Sequence, residues 1–399
     1  MAIDKKGKKG AELKERPDRV NGFIKRSTIA RSRKDINQWR TALQQAENVD
    51  NPKRLLLYNL YDEVMLDAHL TNEIEKRKLA LMGADFILYG ENGQPMNDET
   101  ALLKKDWFNK LIENAVDSRF WGHSLVEVTK IDGEGKIAEV ALVPRRHVIP
   151  EKGIVTINQG DEKGTPYRDN PQFTPWTFEF GEHDGLGLIN KCVPHVLFKR
   201  FAQSAWSEYC EIFGMPARVA KTNTVGTQSL SRLEEMMENM GTAAWAIIDN
   251  DESIEWLETT NADGSVYKGL MEVSAAEISK VINGSVIGEA TQGGSRSKEE
   301  VGLKIQDKIS LGDMKWLEGI INEHVLPKLA TLGYPVDGLT FEFIREKDLK
   351  SQWDIVSGIL NYYEVDQEYI VDTFGVPVTA QREQQLPGTG LKPTAGFFD

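Results

Sequence analysis

LGLINKCVPHVLFKRFAQSAWSEYCEIFG at residues 186–214 and SAAEISKVINGSVIGEATQGGSRSK at residues 274–298 decide how this chain is read. From Leu186 to Lys308 the order is helix, small α/β insert, helix, glycine loop, helix. In the first segment a helix is predicted over Pro194–Phe213. Proline suits a first helical turn, where its missing N–H costs nothing, and Gly214 with Pro216 supplies a stop. Leu197, Phe201, Ala205, Tyr209 and Ile212 recur at helical spacing, as do Phe198, Ala202, Trp206, Cys210 and Phe213. Two adjacent stripes predict a wide buried face on a rod roughly 30 Å long. In the second segment Ser274 and Glu277 fit a capping box that opens a helix carrying Ile278, Val281, Ile282 and Val286. It runs into Gln292-Gly293-Gly294-Ser295. A third helix is predicted from near Ser297 to Leu329, weakened at Gly302 and Gly312 and kinked or ended at Pro327.

The insert covers about Met215–Glu258. Ala217–Lys221 reads as a strand. Ser231 and Glu234 fit a capping box for a short helix that Gly241 closes. Ala244–Ile248 and Ser253–Leu257 flank Asp249-Asn250-Asp251, a hairpin signal. Trp245 and Trp256 belong to these strands. They suit either a contact surface, where aromatics are enriched, or a local core across the hairpin.

Working outward, helices are predicted over Asp35–Ala46, from Pro52 to Met65, from Thr71, and over Thr100–Ser118, with a strand at Asp85–Tyr89. Ser124–Ile131 alternates, with Leu125, Glu127 and Thr129 against Val126 and Val128. Ile137–Pro144, Gly153–Asn158 and Pro175–Glu179 are further strands, and Gly160–Pro171 is polar and loop-like. Downstream come a strand at Leu339–Phe343, a helix over Ser351–Tyr362 and another from Asp366. The class is therefore α+β, with helices leading and a small antiparallel sheet after them. Met1–Arg33 and the residues from Gln384 onward read as flexible ends.

The 399 residues suffice for two or three packed subdomains, and 40% apolar content supplies a core. No run of 18 apolar residues exists, which argues against a membrane span. Charge is uneven. Residues 1–35 carry twelve Lys/Arg against five Asp/Glu, a net +7, so the remainder of the −13 total is −20. Such a body would not hold nucleic acid tightly by charge, although the basic arm could touch nucleic acid or an acidic partner. Cys192 and Cys210 lie too far apart on one helical segment for a disulfide, and are expected to be reduced and packed, as in a cytoplasmic protein.

Signals for catalysis are weak. No phosphate-cradling G-x-x-x-x-G-K-[ST] occurs, and the spacing around Gly293-Gly294 is wrong for one. The six His residues show no paired ligand spacing, so no metal or cofactor is expected. His183-Asp184 beside Glu182 fits a surface ion pair better than an acid/base site. No G-x-S-x-G stands at a strand–helix turn.

The order of elements over about residues 50–345 resembles phage portal proteins, most of all the branch in Mu-like phages and prophages. The resemblance is carried by Trp206-Ser-Glu-Tyr-Cys-Glu-Ile-Phe-Gly-Met-Pro216, Ile287-Gly-Glu-Ala-Thr-Gln-Gly-Gly294 and Lys298-Glu-Glu-Val301. Upstream, Phe120-Trp-Gly-His-Ser-Leu-Val-Glu127 and Val143-Pro-Arg-Arg-His147 fit the β-rich part. It implies a portal-type fold: a basic flexible arm (1–34), a wing of helices and a small β-sheet (35–185), a first stem helix (186–213), a clip (214–260), a second stem helix (261–290), a tunnel loop (291–297), a long wing helix (298–338), a small crown (339–383) and a flexible tail (384–399).

The resemblance also implies a ring, usually of twelve copies, at one capsid vertex of the virion, assembled in the host cytoplasm. Double-stranded DNA would be packaged and ejected through its axis. Its partners would be further copies of itself, the DNA, a terminase packaging motor, a head–tail connector and the major capsid protein, with no membrane. Gln292, Gly293, Gly294, Ser295, Arg296 and Lys298 would face DNA, and Trp245, Trp256 and Arg232 would dock the clip's partners. An acidic body fits this role, since a pore lined with many lysines would grip the duplex and resist sliding. Gly284 and Gly288 lie four apart, which either makes a small face for close packing or simply weakens the helix. The alternatives are a head–tail adaptor or minor capsid protein without a tunnel, and an enzyme acting through His183 or Asp184.

Overall fold

The computed structural model describes residues 20–25, 35–214, 218–222, 227–239, 245–249, 264–286, 296–345, 349–360, 362–363 and 365–377. The chain divides into two units after Phe343. The first opens with α1 (Val20–Phe23), a single helical turn, so part of the expected flexible arm is seated on the body. α2 (Ile36–Ala46), α3 (Leu55–Val64) and α4 (Ala68–Met82) follow. The Asp35 and Asp67 carboxylates accept from the Gln38 and Leu70 N–H groups at 2.8 and 3.0 Å, capping α2 and α4. The Asp67 cap starts α4 ahead of Thr71, whereas α3 begins at Leu55 rather than Pro52.

β1 (Phe86–Tyr89) comes next, and the helix predicted over Thr100–Ser118 is two: α5 (Asn97–Leu103) and α6 (Asp106–Trp121). The Thr100 hydroxyl accepts from the Leu88 N–H at 2.9 Å and ties α5 to β1. The chain then turns at Lys104–Lys105 so that α6 can cross the sheet that follows. That sheet has the order β3–β2–β7, from β2 (His123–Ile131), β3 (Ile137–Leu142) and β7 (Thr177–Gly181), all antiparallel. Between β3 and β7, the short strands β4 (Val148–Ile149), β5 (Ile154–Val155) and β6 (Thr165–Pro166) make a second small sheet. Both faces of β2 are buried. Val126 and Val128 join the main core, and Leu125 joins a second cluster with Val143, Val155, Tyr167 and Phe173. The main core is aromatic at one end, where Phe86 stacks on Phe341 at 4.9 Å and Trp107 packs edge-on to Phe108 at 5.4 Å.

Two backbone crossings fix how the sheet feeds α7 (Gly187–Gly214). Gly122 (φ +89°) and Gly187 (φ +75°) have left-handed backbones, and the two turns touch. A Cβ on Gly187 would lie 2.2 Å from the Phe120 carbonyl oxygen, and one on Gly122 2.2 Å from that of Gly185. Gly187→Ala is expected to cost about 3 kcal/mol through positive φ and overlap together. Urea denaturation reads this, and a loss under 1 kcal/mol would show that the turns can separate.

α7 begins ahead of Pro194, which lies inside it rather than in its first turn. Ile189, Cys192, Val193 and Val196 are fully buried, and their packing offsets the roughly 3 kcal/mol that an internal proline costs. The insert is β8 (Arg218–Thr222), α8 (Thr227–Glu238) and β9 (Trp245–Asp249). α8 starts at Thr227, so Ser231 is inside it and no cap. β9 pairs parallel with β8, from Arg218↔Trp245 to Thr222↔Asp249. The two strands form a strand–helix–strand unit with α8 as the crossover that parallel neighbours need. The expected second hairpin strand, 253–257, lies outside the described residues.

α9 (Ser265–Asn283) likewise ignores its capping box, and Ser274 is buried in mid-helix. Contacts with α7 set the earlier start: Tyr267 packs on Tyr209 at 5.9 Å, and Gly264 sits against the Trp206 indole. α9 ends where Gly284 (φ +70°) donates its N–H to the Lys280 carbonyl. Gly284 is thus a terminal cap and not part of a small helical face. Gly288 lies outside the described residues. α10 (Arg296–Ile320) widens into a π-turn at Ile321–Val325 before α11 (Leu326–Thr331). The widened turn precedes Pro327, and the rod continues past it. β10 (Thr340–Phe343) closes the first unit by pairing with β1, Phe86↔Phe343. Asn322 both donates to and accepts from the Phe341 backbone, covering the strand's other edge. The expected boundary at 339 therefore moves past Phe343. In the second unit α12 (Leu349–Ile359) and α13 (Gln367–Phe374) meet through Trp353 and Phe374, rings edge-on at 5.4 Å.

Candidate functional site

α7 and α9 pack against each other along their length. At 1.5 Å per residue α7 is about 42 Å long and α9 about 28 Å. The wide buried face predicted for α7 is only half present. Leu197 and Ala202 are buried, while Phe198 and Phe201 are 44% and 61% exposed and Cys210 is also exposed. Val266, Leu270 and Val273 form a matching outward stripe on α9, at 72%, 40% and 61%. Val301, Leu303 and Ile305 continue apolar exposure onto α10. Side chains of this size left outward on α7, α9 and α10 mark a contact surface.

The inner side of the pair is held by a polar seam. His69, Glu73 and Arg77 follow one another at intervals of four on α4, so they share one face. His69 Nε2 lies 3.0 Å from the Ala275 carbonyl and 2.8 Å from the Ser279 hydroxyl. Asn283 donates to the Glu73 carboxylate at 2.7 Å. Arg77 donates to the Ile282 carbonyl at the end of α9 and, through Nε and Nη2, to both Asp313 oxygens on α10 at 2.6 and 2.9 Å. Arg119 of α6 adds a second ion pair to Asp313 at 2.9 Å. One buried carboxylate thus ties α4, α6 and α10 together, and Arg77 carries that tie to α9. Farther along α7, Lys199 pairs with Asp67 at 2.9 Å and Arg200 with Glu63 at 3.0 Å.

Of the predicted DNA-facing residues, four fall in the sequence between α9 and α10 and two in α10 itself. Gln292, Gly293, Gly294 and Ser295 lie outside the described residues. Arg296 and Lys298 stand in the first turns of α10, their side chains outside the described set. Trp245 opens β9 opposite Arg218, its side chain also outside the described set. Trp256 lies outside the described residues. Arg232 is exposed on α8. The seam itself was not foreseen. Its one signal was the spacing of His69, Glu73 and Arg77 on a helix otherwise read by its apolar residues.

At the root of α7 a cleft of about 940 Å³ opens between the α6–β2 turn, β7 and the π-turn. Beside it Glu179 accepts from Tyr167 and Arg168, each at 2.6 Å, and from His123 at 2.9 Å. Burial opposes the charged carboxylate, but the bonds from His123, Arg168 and Tyr167 outweigh it and hold Glu179 far below the usual carboxylate range. Burial also pushes His123 below its ordinary value of 6.5. Both groups bind protons more readily in the unfolded chain, so stability is full at neutral pH and falls with acid. The urea midpoint should fall from pH 7 to 5.5 to 4. His123→Gln should flatten the part below about 6.5, and Glu179→Gln the part below about 4.5. His183 Nε2 faces Glu179 at 3.7 Å, not Asp184. Burial pushes the Cys192 thiol up to about 12, too high for a nucleophile. Among the described residues no three His, Cys, Asp or Glu cluster to hold a metal, and no helix is long and apolar enough to cross a membrane.

The family model described as the portal protein of Mu bacteriophage matches residues 58–376. The portal protein of Escherichia phage Mu is 22% identical over 345 residues, which cover 79% of this chain and 66% of that protein. The Mu-like prophage FluMu protein gp29 of Haemophilus influenzae is 21% identical over 359 residues, 82% of this chain and 68% of that protein. The chain thus spans slightly under two thirds of the length of the Mu protein. A chain in the neck of an empty GTA particle superposes with TM-score 0.48 and 14% identity, covering 80% of this chain and 94% of that one. An HK97 family phage portal protein from Corynebacterium diphtheriae gives TM-score 0.41 and 12% identity, covering 76% and 97%.

Proposed function

Because the chain belongs to the Mu bacteriophage portal protein family, we propose that it assembles with copies of itself into a ring at a capsid vertex. Double-stranded DNA would pass through the axis of that ring. The observation that carries this reading is the outward apolar surface of α7, α9 and α10. A single chain leaves Phe198, Phe201, Val266, Leu270 and Val273 partly in water, and covering what remains exposed would stabilise an interface by roughly half of the about 1.5–3 kcal/mol that full burial of such a side chain gives. In a ring every copy presents this surface to the next.

In this reading α7 and α9 are the stem and β8–α8–β9 is the clip. The clip meets a packaging motor and then a head–tail connector through Trp245, Trp256 and Arg232. Residues 291–297 would be the tunnel loop, with Arg296 and Lys298 supplying a few salt-sensitive phosphate contacts, and α12–α13 the crown. A stem about 42 Å long faces on the order of 25 phosphates, at one charge per about 1.7 Å of duplex. A body of net charge −20 outside the arm would not hold them fast. The role is structural rather than catalytic, in the virion, and twelve is the copy number we propose.

Size-exclusion chromatography with negative-stain imaging tests it. A ring with an axial hole is the expected result. A folded single chain at high concentration would overturn the ring, and a particle without a hole would favour an adaptor or minor capsid role.

A further inference from the structure

Residues 20–25 occupy a groove built for a peptide. Val20 is buried among Leu125, Val143, Val148, Val155, Tyr167 and Phe173. Glu127 on β2 is fully buried, and its carboxylate accepts from the N–H of Val20 at 2.8 Å, the N–H of Asn21 at 3.0 Å and the Nδ2 of Asn21 at 3.0 Å. Amides at the start of a helical turn have no acceptor within the helix. Glu127 therefore caps α1 from 107 residues away in sequence. The Lys25 N–H completes the seat on the Ile157 carbonyl at 3.0 Å.

These bonds and apolar contacts join α1 to residues remote in sequence. The same contacts would form with the segment of another chain, so exchange costs nothing in the groove itself. Charge then favours exchange. Residues 1–35 carry a net +7 and the rest of the chain −20, and adjacent bodies of that charge repel. An arm that crosses to the next body sets positive charge between two negative surfaces. The connecting residues 26–34 hold four Lys/Arg and no acid, and can span about 30 Å when extended.

We propose that residues 20–25 of one copy seat in the Glu127 groove of its neighbour, making the amino-terminal arm a staple between subunits. The proposal rests on the ring reading above. The test is a disulfide between Lys25→Cys and Ile157→Cys, both exposed positions, with exposed Cys210→Ser as background. After oxidation of assembled protein, most chains should run as a ladder of covalent multimers on a non-reducing gel. Co-assembly of chains carrying one cysteine each should give dimers only, and Glu127→Gln should cut the linked fraction severalfold. Intrachain bonds alone, unreacted thiols, or a linked fraction indifferent to Glu127→Gln would overturn the staple. An intact ring without the ladder sinks only the staple, while a single chain with an intrachain bond sinks the ring as well.

Discussion

Phe201→Glu with Val273→Glu should release folded single chains from the proposed ring: this is the largest effect expected of any exposed substitution here. Both side chains are 61% exposed in the isolated chain, so the monomer loses little. In a ring both would be covered, and a carboxylate desolvated without a partner costs several kcal/mol. Each copy makes two such contacts. About 4 kcal/mol per interface would weaken each contact roughly a thousandfold. Size-exclusion chromatography should therefore show the single chain, with an unchanged circular dichroism spectrum and urea midpoint. An intact ring carrying both substitutions would move the subunit interface away from α7 and α9 and remove the main support for the stem assignment.

The second large effect is on folding. Asp313→Ala would leave the Arg77 guanidinium buried at the junction of α4, α9 and α10 with its carboxylate partner gone, and Arg119 without its ion pair. Breaking a buried ion pair from one side typically costs about 3–5 kcal/mol. Urea denaturation of the variant reads this directly. The double variant Arg77→Met with Asp313→Leu should recover part of the loss, because an apolar pair needs no desolvation of charge. A loss below 1 kcal/mol for Asp313→Ala would show that apolar packing alone holds α9 and α10 to α4.

Much of the architecture was legible in periodicity. The apolar recurrence from Leu197 to Phe213 and around Ile278 and Ile282 marked the helix pair, and Leu125–Val128 marked the central strand. What failed were local start signals. Ser231–Glu234 and Ser274–Glu277 are sound capping boxes, yet both lie inside helices that begin earlier. A capping bond is worth about 1 kcal/mol, whereas burial of Tyr267 against Tyr209 and of the residues before Pro194 is worth more. The loop and clip residues chosen for DNA and docking were named from resemblance. Among the described residues the structure joins a further set, the seam of His69, Glu73, Arg77 and Asp313, which no local pattern flagged as joined.

By itself the sequence determined the class of each long element, the uneven charge and the kinship to portal proteins, because side-chain periodicity and net charge are properties of neighbours along the chain. Tertiary structure alone decided where α7, α8 and α9 begin, that β8 and β9 run parallel, that Glu127 holds Val20 and Asn21, and that Phe198 and Phe201 face outward. Each of these depends on which surfaces meet, and burial acts between residues that spacing along the chain does not relate.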